Sequence, residues 1–135
     1  MSLLPLLFLF QTKHLIADFL LQTEWMQGKF GRFGWVLPLA AHCAVHAALT
    51  LAICLWVRPE FWWLALVDFA VHFVMDRTKA SPNLLGRFKV LSNREFPTAT
   101  PAEKRSNRFY WWSVGFDQYV HQLTNLALAA YIALV

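Results

Sequence analysis

Five histidines and four aspartates are the chain's strongest candidates for chemistry, and all nine obey one spacing. His14 and Asp18 are four residues apart, as are His42 and His46, and Asp117 and His121; Asp68, His72 and Asp76 form a run of three. On a helix, residues at i, i+4 and i+8 share a face about 6 Å apart along the axis, so each group predicts a polar stripe on one side of a helix. Imidazole and carboxylate together suit a divalent ion such as zinc, iron or manganese, and the absence of cysteine from the stripes argues against a soft-metal site. Nine candidates exceed the four ligands of one tetrahedral zinc. Two ions about 3.5–4 Å apart, with a water between them, would use them better.

The roles divide as follows. His14, Asp18, His42, His46, His72, Asp76 and His121 are the candidate metal ligands. Asp68 and Asp117 are candidates for a general base or for carboxylates that orient a ligating histidine. Lys79, three residues beyond Asp76 on the same face, is a candidate catalytic cation, and with Arg77 it could clamp a phosphate or carboxylate. Gln22 continues the His14–Asp18 stripe by one turn and Gln118 neighbours Asp117; both are candidates for holding substrate. The competing reading is a metal-free buried polar network that stiffens a bundle. Such a network is costly if any member is left unsatisfied.

The elements that carry these stripes are apolar. Of the 135 residues, 58% are hydrophobic and 15% charged, too apolar for the interior of a soluble domain of this size. Helices are expected over about 3–23, 35–57, 61–79 and from about 101 or 109 to 135, with Arg58–Pro59–Glu60 a tight break. The second contains no Asp, Glu, Lys or Arg over 23 residues, long enough to span a bilayer. The expected fold is therefore all-α, a single domain over 1–135 built as a four-transmembrane-helix bundle. The apolar start, Met1–Phe10, has no basic flank or cleavage signal and reads as part of a retained helix. Cys43 and Cys54 read as packing residues.

A polar connection spans about 80–108. Within it, Leu84, Leu85, Phe88 and Leu91 predict a short helix on the membrane surface, and Thr100–Pro101–Ala102–Glu103 is a capping box. All seven tryptophans fall at or near segment ends, where membrane interfaces favour them. Basic residues concentrate after the first and third segments, with Arg58 alone after the second. The positive-inside rule then places both basic loops in the cytoplasm and both termini outside, in a multi-pass protein of the cell's inner (cytoplasmic) membrane. The basic charge thus points to the lipid bilayer as partner, with no nucleic acid expected. In that topology all four stripes reach one depth, in the inner half of the bilayer.

The string Lys13–His14–x–x–Ala17–Asp18–Phe19–x–Leu21–Gln22–Thr23–x–Trp25–Met26 is followed by His42–x3–His46, Asp76–Arg77–x–Lys79 and Asp117–Gln118–x–x–His121. Together they resemble the bacterial and phage membrane proteins catalogued as domain of unknown function 3307. The resemblance implies a membrane bundle with these site positions, and no particular reaction. The residues themselves point to a metal-dependent hydrolase, with two zinc ions (or iron or manganese), acting on an amphiphilic or lipid-linked substrate from the cytoplasmic side. The alternatives are a divalent-metal transporter or metal-binding membrane protein, a di-iron lipid oxidase, and a non-catalytic membrane partner.

Overall fold

A computed structural model describes residues 1–31, 33–81, 84–85, 100–106 and 108–135, except the side chains of residues 101, 104, 105 and 109. The described residues are helical, with no strand. Helix α1 (Leu3–Leu15) runs into a π-helical turn, Ile16–Leu20, and a 3₁₀ turn covers Trp25–Phe30. Helix α2 spans Val36–Val57, a second 3₁₀ turn Pro59–Phe61, and helix α3 Leu64–Ala80. Helix α4 is Pro101–Ser106 and helix α5 Arg108–Leu134.

The four long helices close a ring in which α1 packs on α2, α2 on α3, α3 on α5, and α5 back on α1. Neighbours run antiparallel. Leu6 and Phe10, early in α1, meet Cys54 at the end of α2, Leu64 at the start of α3, and Leu128, Ala129 and Ile132 late in α5. These buried residues fill one end of the ring with an apolar plug. The polar stripes fill the other end: His14 and Asp18, His42 and His46, His72 and Asp76, and Asp117 and His121 are on its inner side. The outer faces invert the usual order, since Leu4, Phe8, Leu37, Leu66, Val74 and Phe116 are all exposed.

Several expectations need adjusting. The first helix stops at Leu20 and not near Thr23. It closes with a widened turn in which the Leu21 N–H donates to the Ile16 carbonyl at 2.9 Å. The third begins at Leu64, after the 3₁₀ turn that Pro59 starts. Among the described residues, two helical stretches, Leu3–Leu20 and Val36–Val57, are long and apolar enough to cross a membrane, where four were expected. Helix α3 has 17 residues, and the apolar run of α5 is broken by its own site residues. The capping box is present: the Thr100 N–H donates to Glu103 Oε2 at 2.7 Å, and the Glu103 N–H donates to Thr100 Oγ1 at 3.2 Å. These Thr100 hydrogen bonds hold the Glu103 carboxyl below its usual range. The interfacial helix expected at Leu84–Leu91 lies largely outside the described residues.

Two glycines shape the segment before α2. Gly34 has φ +68°, a left-handed conformation that side chains disfavour. At Gly28 a Cβ would lie 3.1 Å from Pro38 Cγ. The missing side chain lets the Trp25–Phe30 turn lie against the first turn of α2, and that turn carries Lys29 into the interior.

Candidate metal centre

All nine histidine and aspartate side chains meet in one buried cluster. Asp18, held in the π turn, faces three imidazoles. Its Oδ1 is 2.9 Å from His46 Nε2 and 3.3 Å from His42 Nε2, and its Oδ2 is 3.1 Å from His14 Nε2. Donors bound at about 2.0–2.1 Å around a tetrahedral zinc stand about 3.3–3.4 Å apart; the His42 separation matches that spacing, while the His46 contact at 2.9 Å is a hydrogen bond. No ammonium lies within ion-pair distance of Asp18 among the described residues.

The second half of the cluster centres on His121. Its Nε2 is 3.3 Å from Asp76 Oδ1 and 3.3 Å from Asp117 Oδ1. His42 Nε2 connects the two halves, at 3.3 Å from Asp76 Oδ2 as well as from Asp18.

Three groups have ligand atoms within 4.8 Å of one another: His14, His46 and His72; Asp18, His42 and His46; and Asp76, Asp117 and His121. His46 belongs to the first two, so the three amount to two non-overlapping positions. The rings also stack. The His72 centroid is 3.8 Å from that of His46 and 4.2 Å from that of His121.

His72 gives the clearest sign of an unfilled role. Its Nδ1 faces only acceptors, the Asp68 carbonyl at 2.9 Å and Asp68 Oδ1 at 3.2 Å, so Nδ1 carries the proton. Its Nε2 is then a bare lone pair, buried and without a hydrogen-bond partner. A carboxylate behind one ring nitrogen and an open lone pair on the other is how metal-binding histidines are commonly held.

Three lysines enter the cluster. Lys13 Nζ is 2.5 Å from Asp68 Oδ2, Lys29 Nζ 2.7 Å from Asp76 Oδ2, and Lys79 Nζ 2.6 Å from Asp117 Oδ2. Thr50 Oγ1 donates to Asp68 Oδ2 at 2.7 Å and accepts from Lys13 Nζ at 3.1 Å. The cluster reaches the surface where Asp18 and Lys79 are 14% and 16% exposed, beside half-buried Gln118. The Gln118 amide N–H₂ donates to Asp18 Oδ2 at 3.4 Å, and its Oε1 is 3.2 Å from His14 Nε2.

The expected roles therefore shift. Asp68 stands behind His72 and is paired with Lys13, an arrangement that matches the histidine-orienting one of its two expected roles. Asp117 lies among the ligand-capable groups, not apart from them. Lys79 is near the mouth as expected, with its ammonium on Asp117. Arg77 stacks its guanidinium 3.8 Å from the centroid of the Trp35 ring, and so anchors α3 to the start of α2. Gln22 follows the end of the helical turn at Leu20 and, among the described residues, stays outside the hydrogen-bonded cluster.

Lys13, Lys29, Thr50 and Asn125 were not among the sequence candidates. Thr50 and Asn125 continue their stripes by one turn past His46 and His121, and both are fully buried. That signal was readable. Lys13 showed as a lone cation in an apolar run. Lys29 lies in a glycine-rich connection with no helical period, and no spacing rule would have found it.

The family catalogued as protein of unknown function DUF3307 matches residues 6–135. The chain belongs to this family. No curated protein and no solved structure matches it.

Proposed function

We propose that the chain is an integral membrane protein that uses two divalent ions, zinc in the first instance, to hydrolyse an amphiphilic substrate. The observation that carries this reading is Asp18, a mostly buried carboxylate at the mouth that faces three imidazole nitrogens and has no cationic partner among the described residues. The two non-overlapping ligand groups, joined by His42, give room for a second ion. Ions held there would supply a water of lowered pKa and polarise the scissile bond.

The chain's own residues do the rest. Asp18, His42 and His46 form one set of ligands, with His14 and His72 beside them around the shared His46, and Asp76, Asp117 and His121 form the other. Asp68 orients His72. Gln118 and Lys79, at the mouth, meet the substrate's polar head.

The apolar outer faces and polar interior support four spans in the inner membrane, with both termini outside and the mouth toward the cytoplasm. Helices α3 and α5 then cross as members of the ring, their polar residues covered by α1 and α2. A lipid or lipid-linked ester, amide or phosphate ester would reach the mouth from the cytoplasmic leaflet. A transport role is disfavoured by the plug of Leu6, Phe10, Leu64, Leu128 and Ile132, which fills the end opposite the stripes.

The test is hydrolysis of lipid esters, amides and phosphate esters by the purified protein in detergent. Turnover of one class is expected, lost on chelation, restored by zinc, and reduced at least about 100-fold in His46→Ala. No turnover of any class by zinc-loaded protein would overturn the hydrolase reading.

A further inference from the structure

The aspartates of the cluster are of two kinds. Asp68, Asp76 and Asp117 each hold an ammonium, from Lys13, Lys29 and Lys79 in turn. Among the described residues, Asp18 holds only imidazoles and the Gln118 amide. With the imidazoles neutral, as ligands must be, four carboxylates against three ammoniums leave one negative charge among the described residues of the cluster. One dication at Asp18 turns this into a single positive charge. A second, at Asp76, Asp117 and His121, would bring the site to three positive charges. An excess of that size in a buried, low-dielectric site is strongly unfavourable unless an anion arrives with it.

The same second position explains where the anion would go. Lys29 and Lys79 each occupy an oxygen of one of its carboxylates, Asp76 Oδ2 and Asp117 Oδ2. Lys79 also lies at the partly exposed mouth. An anion entering there can draw both ammoniums onto itself and leave the carboxylate oxygens to the ion. A carboxylate or a phosphodiester carries one negative charge and leaves two positive charges behind. A phosphomonoester carries nearly two at neutral pH and offers three strong acceptor oxygens, enough for two ammoniums and a metal.

We propose that the Asp76–Asp117–His121 position takes up its divalent ion together with a phosphomonoester dianion, which the Lys29 and Lys79 ammoniums leave Asp76 and Asp117 to bind. This rests on the metal reading of the cluster and narrows its substrate to phosphate monoesters. By linkage, the ion and the anion must raise each other's affinity by the same factor.

The experiment counts zinc bound to metal-depleted protein in detergent at low free zinc, in three arms: no phosphate, inorganic phosphate, and phosphatidate in mixed micelles. One equivalent is expected without phosphate and two with it. The affinity for the second ion should rise roughly 5- to 150-fold, the usual range of coupling between sites. A rise with phosphatidate alone assigns the anion to a lipid headgroup; a rise with inorganic phosphate assigns it to the free ion. The double variant Lys29→Met, Lys79→Met removes two positive charges, so it should bind both ions without phosphate and gain nothing from it. Two tight equivalents in the wild type without phosphate, or one equivalent in every arm, overturn the proposal while leaving the Asp18 position standing. No bound zinc in any arm overturns both.

Discussion

Asp68 is fully buried and Asp18 mostly so, yet different partners hold them: an ammonium faces Asp68, and three imidazoles face Asp18. Asp68 is paired with Lys13 and Thr50 and steadies the His72 ring. Changing Asp68 to Asn strands the Lys13 ammonium in the interior, and a broken buried pair costs about 3–5 kcal/mol. The double change Lys13→Met, Asp68→Asn should recover most of that stability in a detergent melting experiment. It should still bind zinc about 10- to 100-fold more weakly than wild type, because the support behind a metal-binding histidine is gone. Recovery of both stability and zinc affinity would show Asp68 to be a charge partner only. The histidine and aspartate stripes were legible because helical spacing states which side chains share a face. The lysine partners were not, because one residue's offset from a stripe does not reveal whether a long flexible side chain turns inward.

At the scale of elements, the π turn Ile16–Leu20 sets the direction of Asp18. Such turns add a residue to a helix and recur at functional sites. Deleting Ile16 should let the helix continue as a regular α-helix and turn Asp18 off the line on which it now faces the three imidazoles. We expect this variant to keep its helical circular dichroism and to lose the zinc held at Asp18; retained zinc would show that the π turn does not aim the carboxylate. The sequence predicted an unbroken helix to Thr23, since the apolar run continues through Phe19, Leu20 and Leu21 and no residue type announces a π turn. The turn carrying Lys29 depends on the close approach of Gly28 to Pro38. Gly28→Val should push that turn off α2 and weaken the contact of Lys29 with Asp76, read as a lower melting temperature that Lys29→Met does not lower further. By contrast, the break at Arg58–Pro59–Glu60 and the Thr100 capping box were both readable, because proline and capping residues act through local backbone geometry.

At the scale of the whole molecule, the chain is apolar outside and charged within, with one end plugged by hydrocarbon and the other opening beside Asp18 and Lys79. Among the described residues, hydropathy and length find two of the four long helices as spans, because α3 is too short and the polar site residues of α3 and α5 lower their apolar character. Single cysteines placed for labelling in intact cells should report residues 58–60 from outside and residues 28–34 from the cytoplasm; the reverse pattern would contradict the proposed orientation. The central claim is that nine converging side chains exist to hold metal. Elemental analysis of the purified protein, beside His46→Ala and Asp76→Ala, tests it most directly. The account predicts stoichiometric divalent metal in the wild type: zinc for hydrolysis, with loss of the Asp18 ion in His46→Ala and of any second ion in Asp76→Ala. Wild-type protein that carries no divalent metal, and takes up none when zinc is supplied, would contradict it.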